Sequence, residues 1–183
     1  DLYLYEDFED TLREDLRGIF EDVDGELTFS VAFETEGVVS GAVVGDTMLT
    51  LTSLQDANGV TEMYVTASNP TRASVTDTVL ITVFEVNDPP VISGLETSYS
   101  ISENVEDIAS FSVSDPENNS ITVGVSGDDS TNFIVEDNVL KYSGGANFEN
   151  PTDSNTDNVY ELIVFADDGF NRTTQNVQLT ITN

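Results

Sequence analysis

Glu85-Val86-Asn87-Asp88-Pro89-Pro90 lies between two stretches of nearly the same layout. Each stretch has an acidic first strand, an Asp-x-acid loop, alternating strands and a polar turn just after a strand. The two prolines fix φ and offer no backbone donor, so sheet pairing is expected to stop there in favour of an extended, semi-rigid connector. A chain of 183 residues has room for two modules, each of about 90 residues, an ordinary size for a small domain. The expected division is 1–86, a linker at 87–90, and 91–183.

On both sides of the linker the apolar residues alternate with period two. Glu26 to Phe33, Met63 to Ala67 and Val79 to Val83 do so before it. Ile108 to Val113, Ile121 to Val125, Tyr160 to Phe165 and Asn176 to Ile181 do so after it. These runs are rich in Val, Ile, Thr, Tyr and Phe, as half-buried strands should be. Asp24-Gly25, Asn58-Gly59, Ser126-Gly127, Gly144-Gly145 and Asp168-Gly169 punctuate them as turns. Roughly seven strands per half predicts an all-β chain of two tandem β-sandwiches. Thr11 to Phe20 alone has helix-like spacing, with Leu12, Leu16, Ile19 and Phe20 on one face. Its shortness and Gly18 predict a strand ending in a helical turn that tucks Ile19 and Phe20 into the core.

Composition narrows the function classes. The chain carries 35 acidic and 5 basic residues, a formal charge of −30, with neither Cys nor His. Disulfides, thiolate chemistry and His-dependent triads are thereby excluded, and the expectation is a protein that is not an enzyme. Ten Phe and six Tyr within 38% hydrophobic residues suffice for two small cores. So negative a surface repels nucleic acid and anionic membranes. No apolar run approaches the length of a membrane span. No signal peptide is recognised, and Asp1 reads as a cut point within a longer chain. A small scaffold without disulfides is commonly braced by a metal.

The acids themselves point to that metal. Glu85, Asn87 and Asp88 lie in the linker; Asp115, Glu117 and Asn119 lie in one loop; Asp168 lies in a turn. The first module can add Glu6 from its first strand and Asp56 from the turn before Asn58-Gly59. Two carboxylates about 4 Å apart repel by about 4 kcal/mol at an effective dielectric near 20. A divalent cation reverses that sign. Oxygen donors without His or Cys favour calcium over zinc or copper, and calcium takes roughly six to eight such ligands. About one to three ions are expected at the joint between the modules.

Five motifs occur in an order that resembles the cadherin repeat. Ser102-Glu103-Asn104 resembles its first-strand motif, and Asp115-Pro116-Glu117 stands where it has Asp-x-Asp. Asn147-Phe148-Glu149-Asn150-Pro151 resembles a version of its Asp-Arg-Glu motif, and Ala166-Asp167-Asp168-Gly169 matches Ala-x-Asp-x-Gly. Glu85 to Pro90 is similar to its Asp-x-Asn-Asp-Asn linker. The first module is a looser match through Tyr5-Glu6-Asp7, Phe20 to Gly25, Asp56 to Gly59 and Ala67-Ser68-Asn69. Glu117, Asn147 and Asn69 depart from the pattern, which has Asp at each of these places.

The resemblance implies Greek-key, cadherin/Ig-like sandwiches like those of large bacterial surface proteins. It implies interdomain Ca2+ on Glu6, Asp56, Glu85, Asn87, Asp88, Asp115, Glu117, Asn119 and Asp168. It also implies incomplete end sites, with Asp22, Asp24 and Asn69 at one end and Glu103 and Glu149 at the other. The implied role is a calcium-rigidified extender or adhesion pair in a secreted or cell-surface protein. Such a pair is monomeric and flanked by neighbouring repeats of the same chain.

Two other readings stay open: a carbohydrate-binding pair, with Tyr3, Tyr5, Tyr99 and Tyr142 stacking on sugars, and a homophilic adhesion module that binds another adhesin. Asp153 to Asn158 mimics the start of an EF-hand loop, but Asn158 stands at the position that needs Gly. That segment reads instead as a solvated insertion. Asn118-Asn119-Ser120 and Asn171-Arg172-Thr173 have the form of glycosylation sequons and are read as silent in a bacterial chain.

Overall fold

A computed structural model describes residues 1–8, 11–22 and 26–183. The chain divides into two compact units, Asp1–Val86 and Asn87–Asn183. Both are β-sandwiches, and the fold is all-β.

Unit 1 contains β1 (Leu2–Tyr5), β2 (Leu12–Asp15), β3 (Thr28–Phe33), β4 (Val39–Val44), β5 (Met48–Ser53), β6 (Gly59–Ser68) and β7 (Ser74–Phe84). One sheet has the order β1-β7-β6-β3 and the other β2-β5-β4. β6 and β7 form a long antiparallel hairpin, while β1 runs parallel to β7 with Leu2 opposite Ile81. Period-two alternation puts Met63, Val65, Ile81 and Val83 on the inner face, against Val39, Leu49 and Leu51 of the other sheet.

The Thr11–Phe20 segment is a strand followed by a 3-10 turn at Leu16–Gly18. Its buried anchor is Leu16, with Phe20 packed partly against the core. Ile19 is 53% exposed, contrary to the expectation from its spacing. The 3-10 turn advances about 120° per residue rather than 100°, so positions chosen on a 3.6-residue wheel lose their common face.

Unit 2 contains β8 (Val91–Ser93), β9 (Ser98–Ser102), β10 (Asp107–Ser110), β11 (Ser112–Ser114), β12 (Thr122–Ser126), β13 (Phe133–Glu136), β14 (Val139–Tyr142), β15 (Val159–Asp167) and β16 (Arg172–Thr182). The sheet β12-β15-β16-β9 faces β10-β14-β13, with β8 and β11 as a short extra pair. β9 runs parallel to the last strand, β16, as β1 does to β7 in unit 1. The predicted Ile108–Val113 strand is two strands, broken at the buried Phe111. Tyr142, Tyr160 and Phe133 form an edge-to-face triad within the core.

Residues 153–158 are only partly a solvated insertion. Asp153 is buried and accepts hydrogen bonds from the backbone N–H groups of Asp157 (2.8 Å) and Asn158 (3.3 Å). Its oxygens hold this loop's own backbone, as in an Asx turn. Asp129 is buried beside it and accepts from Ser154 N–H (2.7 Å) and Glu161 N–H (2.8 Å).

Burial alone would push the Asp129 carboxyl up, but the Glu161 and Ser154 N–H donors outweigh it and hold it below the ordinary 3.8. A depressed folded pKa means that stability is present above the unfolded value and lost as pH falls through the folded one. Unit 2 should therefore weaken on acidification below pH ~4, and Asp129→Ala should reduce this pH dependence by the Asp129 share. The same change should cost about 1–3 kcal/mol at neutral pH through unpaired backbone donors, read by chemical denaturation. Gly145 has φ +73°, and a Cβ there would lie 2.9 Å from Asn104 Cα and 3.0 Å from its carbonyl carbon. Gly145→Ala should cost about 1–3 kcal/mol by the same measurement, since neither the backbone nor φ can yield cheaply.

Candidate metal centre

In unit 2 the residues Asn87-Asp88 lie over the 115–119 loop and the 167–171 turn. The Asn87 side-chain amide donates to Asp168 Oδ2 at 2.9 Å, and its Oδ1 accepts from the Asn119 amide at 2.7 Å. Asp88 N–H donates to Glu117 Oε2 at 3.0 Å. Asn171 Nδ2 reaches the Asn87 carbonyl at 3.4 Å. These bonds gather Asp88, Asp115, Glu117, Asp168, Asn87 and Asn119 at one end of the sandwich. Pro90 is buried where the segment enters β8.

Two of these carboxylates are shaped by turns. The loop bends through Asn118 at φ 61°, a conformation Asn tolerates well, and this brings Asn119 N–H to Asp115 Oδ1 at 2.9 Å. Asp115 is 8% exposed, and its Oδ2 is buried without a hydrogen-bond partner. In the other turn, Asp168 Oδ1 accepts from both Phe170 N–H and Asn171 N–H at 2.6 Å. The Asn171 N–H, the Asn87 amide and the Phe170 N–H hold the Asp168 carboxyl below its ordinary value, against the opposing effect of burial. Arg172 lies nearby in sequence but pairs with Asp167 at 2.7 Å. Lys141 and Arg17 are likewise paired elsewhere, with Glu136 and Asp15.

In unit 1 Glu6 is 3% exposed. Its Oε1 accepts from Val86 N–H at 2.8 Å, its Oε2 from the Asn58 amide at 3.4 Å, and its own N–H donates to the Phe84 carbonyl at 2.9 Å. It therefore fastens the end of the module to its first strand. Asp56 is exposed, and its N–H donates to Asp7 Oδ1 at 3.3 Å. Both residues have positive φ, at 51° and 55°. Glu85 is exposed. Asp7, Asn58 and Asn171 were not assigned by sequence reasoning. Adjacency to Glu6, to Asp56 and to Asp168 was the available signal.

The remaining assigned acids sit at other ends of their units. Asp22 Oδ2 accepts from Asn69 Nδ2 at 3.0 Å, while Asn69 Oδ1 caps the β6–β7 turn through Thr71 and Ala73 N–H. Glu103 Oε2 accepts from Phe148 N–H at 3.1 Å, and Glu149 Oε1 accepts from Asn183 Nδ2 at 3.1 Å. Asp24 lies outside the described residues. Tyr99 and Tyr142 are not exposed sugar platforms. Tyr142 is buried, and Tyr99 is half-buried with its hydroxyl accepting from Glu96 N–H at 2.7 Å.

The unit 2 donors fit a hard cation. They are all oxygens, they converge, and Asp115 Oδ2 is a buried charge-bearing atom with no hydrogen donor, an arrangement that is costly unless a cation meets it.

No family model matches the chain, and no curated protein matches it by sequence. Solved structures do. Human CDH23 EC21-23 has 16% identity and a TM-score of 0.50, covering 87% of this chain and 64% of that one. Human protocadherin-24 EC1-2 has 18% identity and a TM-score of 0.48, covering 89% and 85%. The protocadherin gammaB7 EC3-6 cis-dimer structure has 14% identity and a TM-score of 0.45, covering 85% and 42%. The chain thus spans less than two thirds of the length of two of the three. At these identities the likeness to CDH23 concerns the fold, which is cadherin-like.

Glu6 and Glu85 should behave oppositely without any metal. Glu6→Ala removes the buried acceptor of Val86 N–H and the Asn58 amide and should destabilise unit 1 by about 1–3 kcal/mol. Glu85→Ala should stay within about 0.5 kcal/mol of the parent. Denaturant titrations in EDTA measure both.

Proposed function

We propose that the chain is a calcium-stabilised pair of β-sandwich modules, serving as an extender or adhesion segment of a secreted or cell-surface protein of bacterial type. The observation that carries this reading is the buried, partnerless Asp115 Oδ2 within a set of oxygen donors that includes the linker residues Asn87 and Asp88. Calcium would supply the positive charge that this set lacks. Asp88, Asp115, Glu117 and Asp168 are the proposed charged ligands in unit 2, with Asn87 and Asn119 as neutral ones. Glu6, Asp56 and Glu85 are proposed as the contribution of unit 1. Asp22, Asn69, Glu103 and Glu149 are proposed to serve neighbouring repeats.

The chain's own residues define what ion binding would do. Asn87 and Asp88 already bond to the 115–119 loop and the 167–171 turn, so a cation held there locks the linker onto unit 2. A ligand that binds only the folded state adds about 2.7 kcal/mol per site at a hundred times its dissociation constant. Extracellular modules typically bind calcium at about 10⁻⁴–10⁻³ M. Such a linker is stiff outside cells and loosens under chelation.

Calcium should raise the melting temperature and narrow the size distribution seen by small-angle scattering, and EDTA should reverse both. Asp115→Asn should remove at least one binding event in calorimetry. Magnesium should substitute poorly, because it gives up its waters reluctantly. Identical melting and scattering in calcium and EDTA would overturn the reading.

A further inference from the structure

One face of unit 1 carries a cluster of rings that its core does not use. β1 is an edge strand, and its register sets Tyr3 opposite Thr82 and Tyr5 opposite Phe84 of β7. Because Ile81 and Val83 point inward, Leu80 and Phe84 point outward beside the two tyrosines. Tyr3 is 63% exposed, Tyr5 66%, Phe84 44% and Leu80 38%, and Val60 on the adjacent β6 is 53% exposed. The Tyr3 and Phe84 rings lie nearly parallel, 13° apart with centroids separated by 6.3 Å. Tyr5 meets Phe84 at 5.6 Å. Lone exposed apolar residues are ordinary, but a contiguous cluster on a monomer marks an interaction surface.

We propose that this face binds a polymer of β-linked amino sugars carrying free amines, such as a glucosamine chain. The β-linked pyranose presents flat C–H faces, and the negative ring faces of Tyr3, Tyr5 and Phe84 attract both those hydrogens and a nearby ammonium. Tyr3 and Tyr5 stand two residues apart on one strand, about 6.6–6.8 Å, a spacing on the scale of a sugar ring. The charge pattern selects the amino form. None of β1, β3, β6 and β7 contains Lys or Arg, and β6 places Glu62 beside Leu80, with its Oε2 accepting from the Tyr64 hydroxyl at 2.8 Å. The charge of −30 concentrates polycations and repels sulfated or uronate polymers. The same charge disfavours a second copy of the chain. A stable protein partner would need about 20–30 residues a side, far more than these five.

The test is titration of the intact chain with a glucosamine oligomer, followed by tyrosine emission, which no Trp obscures, and by calorimetry. Saturable binding that persists at about 0.3 M salt is expected, since ring contacts are screened less than surface charge. Tyr3→Leu with Tyr5→Leu keeps the apolar area and removes the rings, and it should weaken binding about ten-fold or more. Phe84→Ala should weaken it too. Unchanged melting of each variant shows that folding is retained. None of these three residues is a proposed calcium ligand, and the titration is run in EDTA so that its outcome is read apart from calcium binding. The proposal is overturned by unaltered affinity in the variants, or by binding that vanishes with salt. It is equally overturned if a lysine oligomer shows the same ring-dependent binding, or if a neutral cello-oligomer binds as tightly.

Discussion

Buried carboxylates held by backbone N–H groups are the constraint on which both sandwiches depend. With only 5 basic residues against 35 acids, side-chain cations cannot neutralise the interior. Among the described residues the buried acids are Glu6, Asp115, Asp129, Asp153 and Asp168. Each accepts at least one main-chain hydrogen bond, from Val86, Asn119, Glu161, Asp157 and Asn171 respectively. The ion pairs among the described residues, by contrast, involve exposed or half-buried acids such as Asp15 and Glu136. An acceptor-only carboxylate is well matched to a bend in which successive N–H groups converge. The acids thereby fix the loops that join the strands, and the strands need only their alternating apolar faces.

This division explains what was legible in the sequence. The long strands announced themselves through alternation, because β6, β7, β15 and β16 each bury one face along most of their length. The short β8 and β11 did not, since three residues carry no measurable period. The 3-10 turn misdirected the expectation for Ile19, and Leu16 fills that place in the core. Tyr99 and Tyr142 were grouped with exposed aromatics because alternation tells inner from outer faces only once the register is known. Asp129 stands in no motif, and the polar run around Asp153 reads as a solvated loop. A side chain paired with a backbone donor 32 residues away, as Asp129 is with Glu161, leaves no local pattern to detect.

The unit 2 acids were legible for a different reason. Asp88, Asp115, Glu117 and Asp168 stand in motifs whose order resembles a known repeat, and the fold brings them to one end of their unit. Residue types and order carried that information, whereas the hydrogen bonds among them did not follow from either. The structure adds a distinction within the set. Asp168 Oδ1 is doubly bonded to its own turn, whereas Asp115 Oδ2 is buried with no donor. The first is held in place by the fold; the second is costly in the fold as it stands.

That cost gives the strongest physical ground for treating unit 2 as a cation site rather than another acid-stapled bend. At Asp129 and Asp153 both carboxylate oxygens are met by N–H groups, and the local structure is complete without further charge. Asp115 follows the same loop logic with one oxygen and departs from it with the other. A purely structural acid has no reason to bury an unmet oxygen, since about 1–3 kcal/mol could be recovered by exposing or replacing it. The proposed cation would supply such a reason, because the unmet oxygen is the one left open to it.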